Sequence, residues 1–150
     1  MAAYQTVVVG TDGSDSSYLA VDKAARIAAD SGATLVIACA YHPARPDEVS
    51  RAADELGSDV AYQVVGSSPA EDSVRTAAER AKKQGATKID TVVVDGEPVP
   101  TLTKVVTERD ADLLVVGNRG LNTLAGRILG SVPAEAARKS KVDVLIVHTT

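Results

Sequence analysis

The chain has 150 residues, the length of one ordinary domain, and 45% of them are hydrophobic, yet it has no Trp, no Phe and only four Tyr. Its formal net charge of −4 excludes the basic face of a nonspecific nucleic-acid binder, though not a small anionic ligand held by backbone N–H groups. A single cysteine, Cys39, excludes a disulfide scaffold within the chain, and two histidines far apart, His42 and His148, lack the spacing of zinc ligands.

Residues 6–9 form the first apolar run, of strand length and rich in Val. It ends in Gly10-Thr11-Asp12-Gly13-Ser14, where Ser14 or Asp15 can cap a following helix. That helix is expected over residues 16–30: Ala20, Ala24, Ile27 and Ala28 share one face, and Gly32 supplies the stop. Residues 34–40 read as the second strand, with Cys39 inside it as a small buried hydrophobe. Residues 42–67 break the pattern. Pro43, Pro46, Gly57 and Gly66 and many charges mark a long excursion, with one helical turn near residues 49–56.

Ser68-Pro69-Ala70-Glu71 has the form of a capping box and starts a helix whose stripe is Val74, Ala77, Ala78 and Ala81. A weaker strand follows at residues 89–94, then a helix marked by Leu102, Val105 and Val106, a strand at residues 113–116, a short helix at 134–139 and a strand at 142–147. Continuous apolar runs separated by helical periods predict an α/β domain spanning residues 1–150, with a doubly wound, mostly parallel sheet.

Ligands of such sheets bind at the carboxyl ends of the strands. The most specific feature there is Gly117-Asn118-Arg119-Gly120, then nine residues, then Gly130-Ser131 opening a helix. Glycines let the backbone approach a ligand, and a helix N-terminus favours phosphate. Neither the Gly-x-x-x-x-Gly-Lys loop nor the Gly-x-Gly-x-x-Gly fingerprint is present, so this is a different phosphate cradle. Arg119 and Arg127 lie inside the segment and add charge or are simply solvated.

This spacing resembles the nucleotide motif of the universal stress protein family, in its ATP-binding branch. The similarity extends over essentially the whole chain, through residues 7–14, 113–120 and 130–147. It is greatest to small actinobacterial members, some of which bind cyclic AMP as well as ATP. The resemblance implies a five-stranded sheet in order 3-2-1-4-5 with helices on both faces, a homodimer, and a regulatory role in stress. It also implies site residues. Gly10, Thr11 and Asp12 would meet the adenosine, Ala40 would offer backbone groups to the adenine, and Val116 would line the pocket. Gly117 and Gly120 would border ribose and phosphate, and Gly130, Ser131 and Val132 would bind phosphate through N–H groups. Many ATP-binding relatives carry a hydroxyl residue two positions after the Ser; here Pro133 stands instead, with neither hydroxyl nor N–H. The expectation is therefore a preference for cyclic AMP over ATP, with Mg needed only if ATP binds.

Two other functions bear weighing. An ATPase needs a water-orienting base and metal ligands beside the phosphates, and the residues around Gly130 supply neither, which leaves slow hydrolysis at most. A phosphoryl-accepting receiver would use Asp12 and Asp95 at strand ends, but the last strand runs into Val147-His148 without the pairing Lys. The run Val142-Asp143-Val144-Leu145-Ile146-Val147 is apolar on both faces and falls at a sheet edge, so it predicts pairing with its own copy. No basic, apolar leader opens the chain and no run nears the ~20 apolar residues of a membrane helix, so a cytoplasmic protein with no membrane partner is expected.

Overall fold

The computed structural model describes residues 2–42, 67–118 and 131–149. Strands and helices alternate along them: β1 (Thr6–Gly10), α1 (Asp15–Ser31), β2 (Thr34–Tyr41), α2 (Ser67–Lys83), β3 (Lys88–Asp95), α3 (Pro98–Glu108), β4 (Leu113–Gly117), α4 (Ser131–Lys139) and β5 (Asp143–Val147). All five strands are parallel, in the order β3-β2-β1-β4-β5.

The apolar runs explain this directly. Val7, Val8 and Val9 of the central strand are fully buried, because both faces of the sheet are covered. The two-residue side-chain period sends Val7, Val9, Leu35, Ile37 and Val115 to one face, beneath α1 and α2. It sends Val8, Val36, Ala38, Leu114 and Val116 to the other, beneath α3 and α4. Without Trp or Phe, close helix approach comes from small residues: Ala20, Ala24, Ala25 and Ala28 of α1 are buried against the sheet. Gly32 ends α1 in the left-handed conformation at φ 66°, its N–H directed to the Ala28 and Ala29 carbonyls.

Several expected boundaries shift. α2 starts at Ser67, so Ser68 lies within its first turn and is not the cap; Pro69 is accommodated because first-turn N–H groups have no intrahelical acceptor. α4 starts at Ser131, three positions before the periodic Ala134–Lys139 stretch, with Pro133 tolerated for the same reason. The edge strands β3 and β5 are only half-buried, unlike the central ones. The excursion expected at 42–67 lies, from residue 43 to 66, outside the described residues.

Two polar devices hold the layers. Arg80 of α2 donates through Nε and Nη2 to both carboxylate oxygens of Asp22 on α1, at 3.1 and 2.6 Å, and its guanidinium lies 5.3 Å from the Tyr18 ring centroid. At the amino edge of the sheet, the Asp112 carboxylate accepts the Gln5 and Thr6 backbone N–H groups, and the Tyr4 hydroxyl donates to Asp143. Among the described residues, no helix is long and apolar enough to cross a membrane.

Candidate functional site

In a parallel sheet each crossover helix runs back against the strands, so the N-termini of α1, α2, α3 and α4 all lie at the carboxyl edge. Strand order reverses between β1 and β4, and the helices that follow these strands cover opposite faces. A switch point of this kind is where ligands of open α/β sheets bind.

The turn after β1 forms one wall. Gly10 packs so tightly that a Cβ there would fall 2.9 Å from Leu102 Cδ1. Thr11 turns inward: its N–H donates to the Ala38 carbonyl at 3.0 Å, and its buried hydroxyl shares a 2.7 Å hydrogen bond with Ser17 and accepts the Gly13 N–H. Asp12 turns outward and is exposed, its Oδ1 accepting from the Ser14 N–H at 3.0 Å and from the Ser14 hydroxyl. Ser14 in turn caps α1 by accepting the Ser17 N–H at 3.1 Å. This requires Gly13 at φ +82°, where a Cβ would stand 2.5 Å from Ser73 Oγ of α2. The carboxylate of Asp12 is thus aimed by a turn that is itself braced from beneath by Thr11 and Ser17.

The end of β4 forms the other wall. Gly117 pairs with Val147, and the ladder continues one step further as the Asn118 N–H donates to the Val147 carbonyl at 3.0 Å. Val116 is only 3% exposed and packs in the layer beneath α3 and α4, so it forms the floor and not an open wall. Ser131 and Val132 begin α4, as the glycine motif predicts, with Pro133 buried behind them. Gly120, Gly130, Arg119 and Arg127 lie outside the described residues.

Ala40, half-buried near the end of β2, stands across from Val94 of β3. Beside it, burial of the Cys39 thiol and then the nearby Asp12 carboxylate push its pKa up to about 11. Cys39 is a buried, protonated thiol, in line with its reading as a small hydrophobe. His42 and His148 are both exposed, and His42 lies 3.5 Å from Glu97.

The receiver arrangement fails on topology. Asp95 ends the edge strand β3, with β2 between it and β1, which places it about 10 Å laterally from Asp12 at the usual strand spacing. Sequence reasoning missed Ser17, Ser73, Ser16 and Thr149. Ser16 and Ser17 follow the β1 turn and were within reach of the helix-cap pattern, but Ser73 and Thr149 approach the site through tertiary packing.

The fold defines a doubly wound α/β protein in which a carboxylate turn and the N-terminus of α4 follow the two strands at the switch point. A family model described as Universal stress protein family matches residues 3–148, and the chain belongs to that family. It is 55% identical over 150 residues to Universal stress protein Rv1636 of Mycobacterium tuberculosis, covering 100% of both chains. Among solved structures it is similar to a universal stress protein crystallised in complex with cAMP, at 52% identity and TM-score 0.75, over 99% of this chain and 100% of that one. The fold also matches that of universal stress protein UspA from Lactobacillus plantarum, at 22% identity and TM-score 0.78, over 98% and 99% of the two chains.

Proposed function

We propose that this chain is an adenine-nucleotide-binding regulatory protein of the stress response, which binds cyclic AMP or ATP and acts by binding, not by turnover. The observation that carries this reading is that the outward Asp12 turn and the start of α4 follow the two strands that flank one switch point. Similarity to the cAMP-bound universal stress protein, at 52% identity, supports an adenine ligand.

Each residue then has a role. Asp12 accepts hydrogen bonds from ribose hydroxyls or the adenine edge, and Gly10 and Thr11 shape that wall. Ala40 offers backbone groups to the adenine over the apolar floor of Val116. Gly117 and Gly120 border the ribose and phosphate, while Gly130, Ser131 and Val132 hold the phosphate through N–H groups at the positive end of α4. Pro133 is the third residue of that helix, where an N–H would otherwise face the anion, so one donor for outer phosphates is missing. A nucleotide with one phosphate loses least by this. The site therefore favours cyclic AMP over ATP, and Mg enters only on the phosphates of ATP.

Slow ATP hydrolysis is the second reading, and single-turnover assays with labelled ATP separate it from binding. The half-buried edge strand β5, with Val144, Leu145 and Ile146, supports a homodimer built through residues 142–147. Titration calorimetry with cyclic AMP and ATP tests the main reading. Tighter binding of cyclic AMP is expected; much tighter ATP binding refutes the preference, and binding of neither refutes the function.

A further inference from the structure

The two walls of the site are tied together by a chain of side chains that the motif does not contain. Asn118, 7% exposed, accepts through Oδ1 both the Thr149 N–H at 3.0 Å and the Thr149 hydroxyl at 2.8 Å. Since that hydroxyl proton is committed to Asn118, the hydrogen bond between Ser16 and Thr149 must run from the Ser16 hydroxyl to Thr149 Oγ1. Ser16 lies in the first turn of α1, directly after the Asp12–Ser14 turn, and Asn118 directly follows Gly117. The relay Ser16→Thr149→Asn118 thus spans the adenosine wall, the residue two beyond β5, and the root of the phosphate segment.

We infer that Asn118, Thr149 and Ser16 form a clasp that positions the start of the phosphate segment against the Asp12 turn, so that nucleotide affinity depends on the Thr149 hydroxyl. The inference rests on the nucleotide reading above. None of the three need touch the ligand; they are positioning residues. Donors aligned in series polarise one another, and the clasp orders Asn118 before any ligand arrives. A segment root held in place loses less freedom on binding than one left to settle, and this gain appears as affinity. The backbone bond from Asn118 to Val147 holds the main chain, and the side-chain relay carries the connection on to α1.

The test is Thr149→Val, which keeps the shape and the N–H but deletes the hydroxyl, with Thr149→Ser as the conservative variant and Ser16→Ala as a second break in the relay. Calorimetry with cyclic AMP should show about fivefold weaker binding for T149V, restoration by T149S, and in S16A/T149V no loss beyond that of T149V. Amide exchange by NMR without nucleotide should show faster exchange at Thr149 and Asn118 in T149V and normal exchange in T149S. An unchanged cyclic AMP affinity in T149V, or a loss that T149S fails to restore, overturns the clasp. Should the wild-type chain bind neither cyclic AMP nor ATP, the functional reading fails instead, and unaltered amide exchange in T149V would then overturn the clasp on its own.

Discussion

Gly13→Ala is the sharpest probe of how the Asp12 turn is built. The position has φ +82°, a conformation that costs an L-residue about 1–2 kcal/mol. The new Cβ would also stand 2.5 Å from Ser73 Oγ, so that hydroxyl must rotate and give up its 2.8 Å hydrogen bond to the Pro69 carbonyl. Losing that bond adds about 1 kcal/mol, for a total of about 2–3 kcal/mol. At about 2–4 °C per kcal/mol for a chain of this size, the melting temperature should fall by roughly 4–12 °C. Gly32→Ala serves as the control, because Gly32 has a similar φ of +66° but nothing within 4 Å of the added Cβ. It should cost only the conformational part, about 1–2 kcal/mol. In a Ser73→Ala background the collision disappears and Gly13→Ala should cost no more than Gly32→Ala. Thermal melts by circular dichroism, arranged as a double-mutant cycle, measure this. Equal costs for Gly13→Ala and Gly32→Ala, or no relief by Ser73→Ala, would refute the close approach of α2 to the turn.

Further tests follow from individual contacts. Arg80→Met leaves the buried Asp22 carboxylate without its guanidinium and should cost about 2–3 kcal/mol in urea unfolding, at the low end because Arg80 is partly open to solvent; no change would show that the pair contributes nothing net. The Cys39 thiol, with its pKa raised to about 11 by burial and by Asp12, should react slowly with a disulfide reagent at pH 8. Asp12→Asn should speed that reaction by removing the carboxylate, and fast labelling of the wild type at pH 8 would contradict the burial. Because the folded-state value lies above the ordinary 9.0, the stability from the neutral thiol is complete below that pH and is lost as pH rises toward about 11, which urea titrations at stepped pH can follow. Pro133→Thr restores an N–H and a hydroxyl at the third position of α4 and should shift calorimetric preference from cyclic AMP toward ATP; an unchanged ratio would show that Pro133 does not set it.

Much of the fold was legible in the chain because its signals are local and repeated. Apolar runs such as Val7-Val8-Val9 and Leu113-Leu114-Val115-Val116 demand burial on both faces, and the helical stripes between them leave a parallel sheet as the economical solution. The glycine spacing around Gly117 and Ser131 likewise marks a strand-to-helix junction without knowledge of any contact. Boundaries were less legible where prolines sit in first turns, as at Pro69 and Pro133, since a missing N–H there costs nothing and leaves no mark on periodicity. The sequence by itself thus determined the layers and the edge of the sheet at which a ligand is expected. Only the tertiary structure decided that Thr11 faces inward to Ser17 while Asp12 faces outward, because the two are adjacent and equally polar. It alone brought Arg80 to Asp22 across 58 residues and Thr149 to Ser16 across 133. Such pairings obey no spacing rule. They depend on which helix and which strand end the sheet order sets side by side, and a hydroxyl or carboxylate carries no sign of its distant partner until the core has packed.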